Sequence, residues 1–266
     1  MIHPTAIVHP QAKLEGTVIV GPFAVIDAGV ELGAHCIVGP HVYLTGITKI
    51  GSHNTFHAGC VIGDAPQDLK YHGEPTRVRI GDHNVFREHV TVHRSTTADG
   101  ETIIGSNNFF MAGSHVGHNS VVGDHVILAN CALLGGHAVV QDRAFVSGNC
   151  CVHQFCRVGT LAMMQGGSAI SQDLPPFTTV AHGINELCGL NIVGLRRAGI
   201  SAVERLELKK LYHLLFRSGK NLRAAAAEAQ IKFSSAPARV LLGFVTESKR
   251  GVCADAGRAD GKIGDA

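Results

Sequence analysis

The chain has 266 residues, 45% of them hydrophobic, with a net charge of +2, 17 histidines, 32 glycines, 3 tyrosines and no tryptophan. That is enough for one large core plus a small second domain, and the weight of glycine and small aliphatic residues favours many short strands and tight turns. It excludes a transmembrane helix, since no run of about 18 apolar residues occurs, and a disulfide-stapled fold, since the 8 cysteines (Cys36, Cys60, Cys131, Cys150, Cys151, Cys156, Cys188, Cys253) lack CxxC pairs and framework spacing and are expected as free thiols.

The N-terminus, MIHPTAIVHPQA, has no basic stretch leading into an apolar core. No secretory signal is read there, and the cytosol is the expected compartment. From Val8 an aliphatic residue returns at every sixth position, through Leu14, Val20, Ile26 and onward to Val152, Val158, Met164 and Ile170. Of these 28 positions, 25 are Val, Leu, Ile, Phe or Met. Two residues earlier sits a small side chain in most hexads, as at Ala6, Ala24, Cys36, Ala132 and Cys150, and the next residue is often glycine, as at Gly21, Gly105 and Gly123. A period of six is neither the 3.6 of a helix nor the 2 of a lone strand. It marks a β-solenoid in which each hexad is one short strand and a corner, with the aliphatic and the small residue both facing inward. Glycine beside the corner is expected to supply unusual backbone angles.

The beat is broken only at Asp68, Glu74 and Ala98, inside DAPQDLKYHGEPTRV (64–78) and RSTTADGET (94–102), and it resumes in phase after each. These segments are loops projecting from a continuing coil, the kind of place where function concentrates. In the first, Gln67, Asp68 and Lys70 put a carboxylate and an amine close together, the alternative being ordinary solvated loop charges. The repeats end at Asp173-Leu-Pro-Pro, where two prolines are expected to stop strand pairing. Residues 1–185 are therefore assigned to the solenoid and 186–250 to an α-helical domain. There ISAVERLELKKLYHLLFRSG has a Ser201/Glu204 capping box, a stripe of Leu206, Leu211, Leu214 and Leu215, and a closing Gly219, and NLRAAAAEAQ and APARVLLGFVTES suggest two further helices. Residues 251–266 are expected to form a disordered tail. Residues 196–250 hold twelve Lys or Arg against four Glu, a net +8 that leaves −6 on the rest of the chain. A basic end suits an acidic partner, unless it is only a solvated helix face.

The stretch from Ser114 to Gln154 concentrates histidines. With three hexads to a coil, a turn is 18 residues. His118 to His137 is 19 and His118 to His153 is 35, so all three fall on one corner of successive coils, about 4.8 Å apart. None is at an inward position, and Gly135-Gly136 lies beside them. Solvated turn histidines are one reading. Zinc ligation is another, without an Asp, Glu or Cys at an obvious ligand spacing. A nucleophilic Cys151 is a third, whereas Cys150 is in the inward register. The residues point best to general-base chemistry on a substrate hydroxyl, with a backbone N–H at Gly135-Gly136 facing the oxyanion.

The hexapeptide coil together with QDLKYHGEPTRV, VTVHRST, HVGHNS, VHQF, QDLPPF, NIVGLRR and FRSGKNL resembles the UDP-N-acetylglucosamine acyltransferases, over about residues 2–250. The resemblance implies a left-handed parallel β-helix, a homotrimer with active sites between subunits, and transfer of a 3-hydroxyacyl chain from acyl carrier protein to the glucosamine 3-hydroxyl, the first step of lipid A synthesis. It needs no cofactor beyond the donor's phosphopantetheine thioester, and no metal. On this resemblance His118 is the general base and Gly136 the oxyanion donor. His115, His137, His153 and Gln154 line the sugar and acyl groove, Gln67, Asp68, Lys70 and His93 contact substrate, and Asn191 and Arg197 lie near the nucleotide. The departures are Asn119 for Asp, Val193 for Glu, Ala198 for Arg, and a shortened stretch between Pro176 and Asn191. The alternatives are the related N-acyltransferase, which normally carries an extra N-terminal domain, a 3-amino-sugar acceptor, a zinc carbonic-anhydrase-like solenoid, and a non-catalytic binding solenoid.

Overall fold

A computed structural model describes residues 1–181 and 183–255. Each hexad forms a strand of two to four residues, and the strands stack in parallel into three flat sheets, one on each side of a triangular coil. Pairing runs from residue i to i+18, as from His115 to Leu133 and from Leu133 to Cys151. The aliphatic and small positions face inward as the period requires. Val116, Leu128, Leu134, Ala132, Ala138 and Cys150 are all fully buried, and Phe56, Phe86 and Phe110 stack in the core at 4.8 Å centroid spacings.

The corners use a different residue from the one expected. Asn119, His125, Cys131, His137, Arg143, Asn149, Phe155 and Leu161, six apart, all have positive φ, between 55° and 64°. Apart from Gly63, at φ 86°, the glycines after the aliphatic residue serve close approach instead. A Cβ on Gly105 would lie 2.3 Å from Asp124 Oδ1, and one on Gly123 would lie 2.2 Å from Asp142 Oδ1, because each coil's corner sits directly on the next.

The two prolines do not end the sheet. Thr178–Val180 still pairs in parallel with Met163–Met164, then Glu186–Leu190 turns back antiparallel. Four helices follow: α1 (Ile192–Arg197), α2 (Ala202–Phe216), α3 (Leu222–Lys232) and α4 (Ala236–Thr246). The Ser201/Glu204 capping box is formed at α2. Leu206 is 54% exposed, and the buried stripe is Leu208, Leu211, Tyr212 and Leu215, the i, i+3, i+4, i+7 face that Leu206 lies off. The short α1 had no periodic signal to announce it. These helices share a core that includes Leu195, Leu211, Ala229 and Leu241. Residues 251–255 are not a free tail: Cys253 is fully buried, and Ala254–Asp255 pairs with Glu186–Leu187. The rest of the expected tail, 256–266, lies outside the described residues.

Candidate active site

Both long loops leave the coil at the corner that carries His118. They follow strands Val61–Asp64 and Thr91–His93, which pair in order with each other and then with His115–Val116. The pairings Val61↔Thr91 and Thr91↔His115 step by 30 and 24 residues in place of 18, so the insertions of 12 and 6 keep the hexad phase. The loops are tied together by Arg94, which donates from Nε to Tyr71 Oη at 3.1 Å and from Nη1 to Gly63 O at 2.9 Å.

Below them a cleft of about 1030 Å³ runs along the outer face of the sheet. His115, His118 and His93 form one wall, and Gly135 and Gly136 the floor of the corner. His153, Gln154 and Gln67 line it as well, together with Leu133, Cys151, Ile170 and Ile184. His118 is half-buried, with its ring over Gly136: a Cβ built there would be 2.5 Å from both Nε2 and Cε1. On its other side Nδ1 meets Asn119 Oδ1 at 2.9 Å. The Gly136 N–H donates to no acceptor among the described residues, while its carbonyl accepts from Phe155 N at 3.1 Å. His137 meets His118 edge-on at 5.4 Å and stacks on Phe155 at 4.5 Å.

Burial biases three neighbouring imidazoles, His115, His93 and His137, toward the neutral form. Burial first, and then the neighbouring His93 and His118, push His115 down to about 4, and its Nδ1 pairs with Thr91 Oγ1 at 2.7 Å. Burial also lowers His93, against the pull of the Asp64 carboxylate, and lowers His137, against that of Asp68. His153 is exposed, with the Arg250 guanidinium 3.3 Å from its Nδ1. Among the described residues no group of three or more His, Cys, Asp or Glu is placed to hold a metal ion.

Five expected site residues are not among those lining this cleft: Asp68, His137, Lys70, Asn191 and Arg197. Lys70 is exposed on the loop, and it is its backbone N–H, not its amine, that meets the Asp68 carboxylate, at 2.9 Å. Asn191 caps α1, accepting from Gly194 N and donating to Leu161 O, both at 2.9 Å. Asn191 and Arg197 line a second cavity, of about 1000 Å³, on a different sheet with His125 and Arg143. Sequence reasoning missed Thr91, which its place on the His93 strand could have suggested, and Arg250, which no local signal links to the corner.

Comparison with known proteins places this architecture. The profile described as UDP N-acetylglucosamine O-acyltransferase, domain 2, matches residues 173–253, and the bacterial transferase hexapeptide profile matches 11–46 and 101–136. The chain is 45% identical to an acyl-[acyl-carrier-protein]–UDP-N-acetylglucosamine O-acyltransferase of Stutzerimonas stutzeri, covering 95% of this chain and 98% of that one. It is 48% identical to that of Alkalilimnicola ehrlichii, with 94% and 98% covered. The structure of the Francisella novicida UDP-N-acetylglucosamine acyltransferase superimposes with a TM-score of 0.93 at 34% identity, over 97% of this chain and 95% of that one. That from Bacteroides fragilis gives 0.91 at 38% identity, over 95% and 99%. The coil is thus a left-handed parallel β-helix of hexapeptide repeats with a small helical C-terminal region.

Proposed function

Since the chain belongs to the acyl-[acyl-carrier-protein]–UDP-N-acetylglucosamine O-acyltransferase family, we propose that it moves a 3-hydroxyacyl chain from acyl carrier protein to the glucosamine 3-hydroxyl of UDP-N-acetylglucosamine, with His118 as general base. The observation that carries this reading is the placing of His118 Nε2 over the Gly136 backbone inside the cleft, with Nδ1 engaged by Asn119. Nε2 takes the proton of the acceptor hydroxyl as its oxygen attacks the thioester carbonyl. The developing oxyanion lies against the uncommitted Gly136 N–H. Collapse expels the phosphopantetheine thiolate, which takes the proton back from the imidazolium, so no acyl-enzyme forms. His115 and His93, both biased by burial toward the neutral form, shape the wall. His137, His153, Gln154, Gln67, Asp68 and Lys70 position sugar and acyl chain.

We also propose a homotrimer with sites between subunits, acting in the cytoplasm. One sheet presents Ile19, Ile37, Thr55, Val85, Phe109, Ile127 and Phe145 in a single outward column, apolar at every position but Thr55, and Ile19 and Ile37 are 46% and 44% exposed. An apolar column of that length on a sheet's outer face calls for a partner. A groove shared with a neighbour would also bring Asn191 and Arg197, which line a separate cavity in one chain, toward the nucleotide. The basic 196–250 segment suits the acidic carrier protein. His118→Ala is expected to fold and to lose at least ~10²-fold in turnover with UDP-N-acetylglucosamine and 3-hydroxyacyl carrier proteins. Near-normal turnover of that variant would sink the assignment.

A further inference from the structure

The neighbour of His118 is Asn119, whose carboxamide has one accepting and one donating end. Which end meets His118 Nδ1 decides where the ring proton sits. With oxygen there, Nδ1 must carry N–H and Nε2 keeps a lone pair. With the amide nitrogen there, the proton moves to Nε2, the atom over Gly136, and Nε2 can no longer take a proton from the acceptor.

The 94–100 loop fixes the choice from both ends. The Thr96 backbone N–H, which can only donate, lies 2.9 Å from Asn119 Oδ1, and the Thr96 hydroxyl lies 3.0 Å from the same atom. At the other end Ser95 Oγ accepts from Thr97 N at 3.0 Å and donates to Thr97 O at 3.4 Å. With Oδ1 fixed by the Thr96 N–H, the group 2.6 Å from Ser95 Oγ is the donating Nδ2, and the Ser95 hydroxyl accepts from it. Ser95 is fully buried, so water does not replace it, and the Asn119 backbone N–H is anchored on Thr102 Oγ1 at 2.8 Å.

We propose that Ser95 and Thr96 are positioning residues for the acyl transfer: by setting the face of the Asn119 carboxamide, they hold His118 in the tautomer whose Nε2 is free to accept the acceptor's proton. The proposal rests on His118 being the base. A carboxylate at position 119 has two equivalent oxygens and needs no such setting, so the requirement is a consequence of the neutral side chain.

The test is a double-mutant cycle. Ser95→Ala and Thr96→Val are each expected to lower kcat about tenfold, roughly the worth of one hydrogen bond, with KM and melting temperature near wild type and with Thr96→Ser restoring the rate. In an Asn119→Asp background the same Ser95→Ala change is expected to cost less than about threefold. Nitrogen NMR of the wild-type ring is expected to show the Nδ1–H tautomer, and of Ser95→Ala/Thr96→Val a rise in Nε2–H. An equal cost of Ser95→Ala in both backgrounds, or an Nε2–H ring in the wild type, overturns the positioning role. Retained turnover in His118→Ala overturns the base assignment beneath it, which the NMR reads independently.

Discussion

Gly136→Ala isolates the geometry of the reacting corner. The new Cβ would stand 2.5 Å from His118 Nε2 and Cε1 and 3.1 Å from Cδ2. Ordinary contact begins at 3.4 Å, so the ring must retreat by about 0.9 Å. The φ of Gly136 is not in the left-handed region, so alanine suits the backbone and the clash is with the imidazole alone. The ring is held at Nδ1 by Asn119 and flanked by His137, so it cannot retreat without giving up the 2.9 Å bond or swinging into the cleft. A displacement near 1 Å at a reacting group costs on the order of 10²-fold in rate, about 2.7 kcal/mol. The Gly136 N–H is kept, so the loss belongs to the base and not to the oxyanion donor. Steady-state transfer assays are expected to show kcat down about 10²-fold, with the thermal melt little changed. A kcat within threefold of wild type would refute the contact between Gly136 and the reactive nitrogen.

Stability is expected to fall on mild acidification through His115. Burial lowers its folded value from 6.5 to about 4, so the stabilisation is complete above 6.5 and is lost as pH falls from 6.5 toward 4, by up to about 3 kcal/mol. His115→Gln should therefore show a shallower decline of melting temperature across that range than the wild type, and parallel curves would contradict it. Asp173, 1% exposed, accepts from Arg157 Nε and Arg157 N at 2.8 Å each and from Ser248 Oγ at 2.9 Å, joining the coil to the C-terminal segment. Removing one partner of a buried pair costs about 3–5 kcal/mol. Asp173→Ala is expected to lose that much in denaturant unfolding and to expose residues 248–255 to proteolysis, and unchanged unfolding would show the pair to be dispensable.

The coil was legible because one number, six, fixes strand length, corner length and inward direction together. The reading placed Val116, Leu128 and Leu134 in the core. It misjudged the glycines because both roles of glycine, positive φ and close approach, leave the same mark in a sequence, and only the backbone angles at Asn119 or His125 separate them. Helix α1 escaped notice because six residues with a central Gly194 make no stripe, and its cap, Asn191, was read only as a nucleotide contact. The proline pair at 175–176 was taken as an end because proline cannot join a ladder. In the structure it occupies a bend between two sides of the coil, where no ladder bond is required of it, and the next strand pairs normally. The clustering of the loops with His118 was countable, but only once their lengths were recognised as whole hexads.

What the solenoid contributes to chemistry is alignment by column. Residues 18 apart superpose about 4.8 Å from one another, so the corner presents three columns: Gly117, Gly135 and His153; His118, Gly136 and Gln154; Asn119, His137 and Phe155. The three histidines that looked equivalent by spacing belong to three different columns, and so to three different surroundings. His137 sits at the positive-φ position, stacked on Phe155 in its own column. His153 stands at the open edge beside Arg250. Only His118 is followed in its column by a glycine, and that missing side chain leaves the space into which Nε2 faces. A filled column would stack another side chain against the ring and close the corner, as Phe155 does for His137. The reactive position is thus defined less by the histidine than by the gap one coil further on, and a rigid backbone repeat is what keeps that gap open.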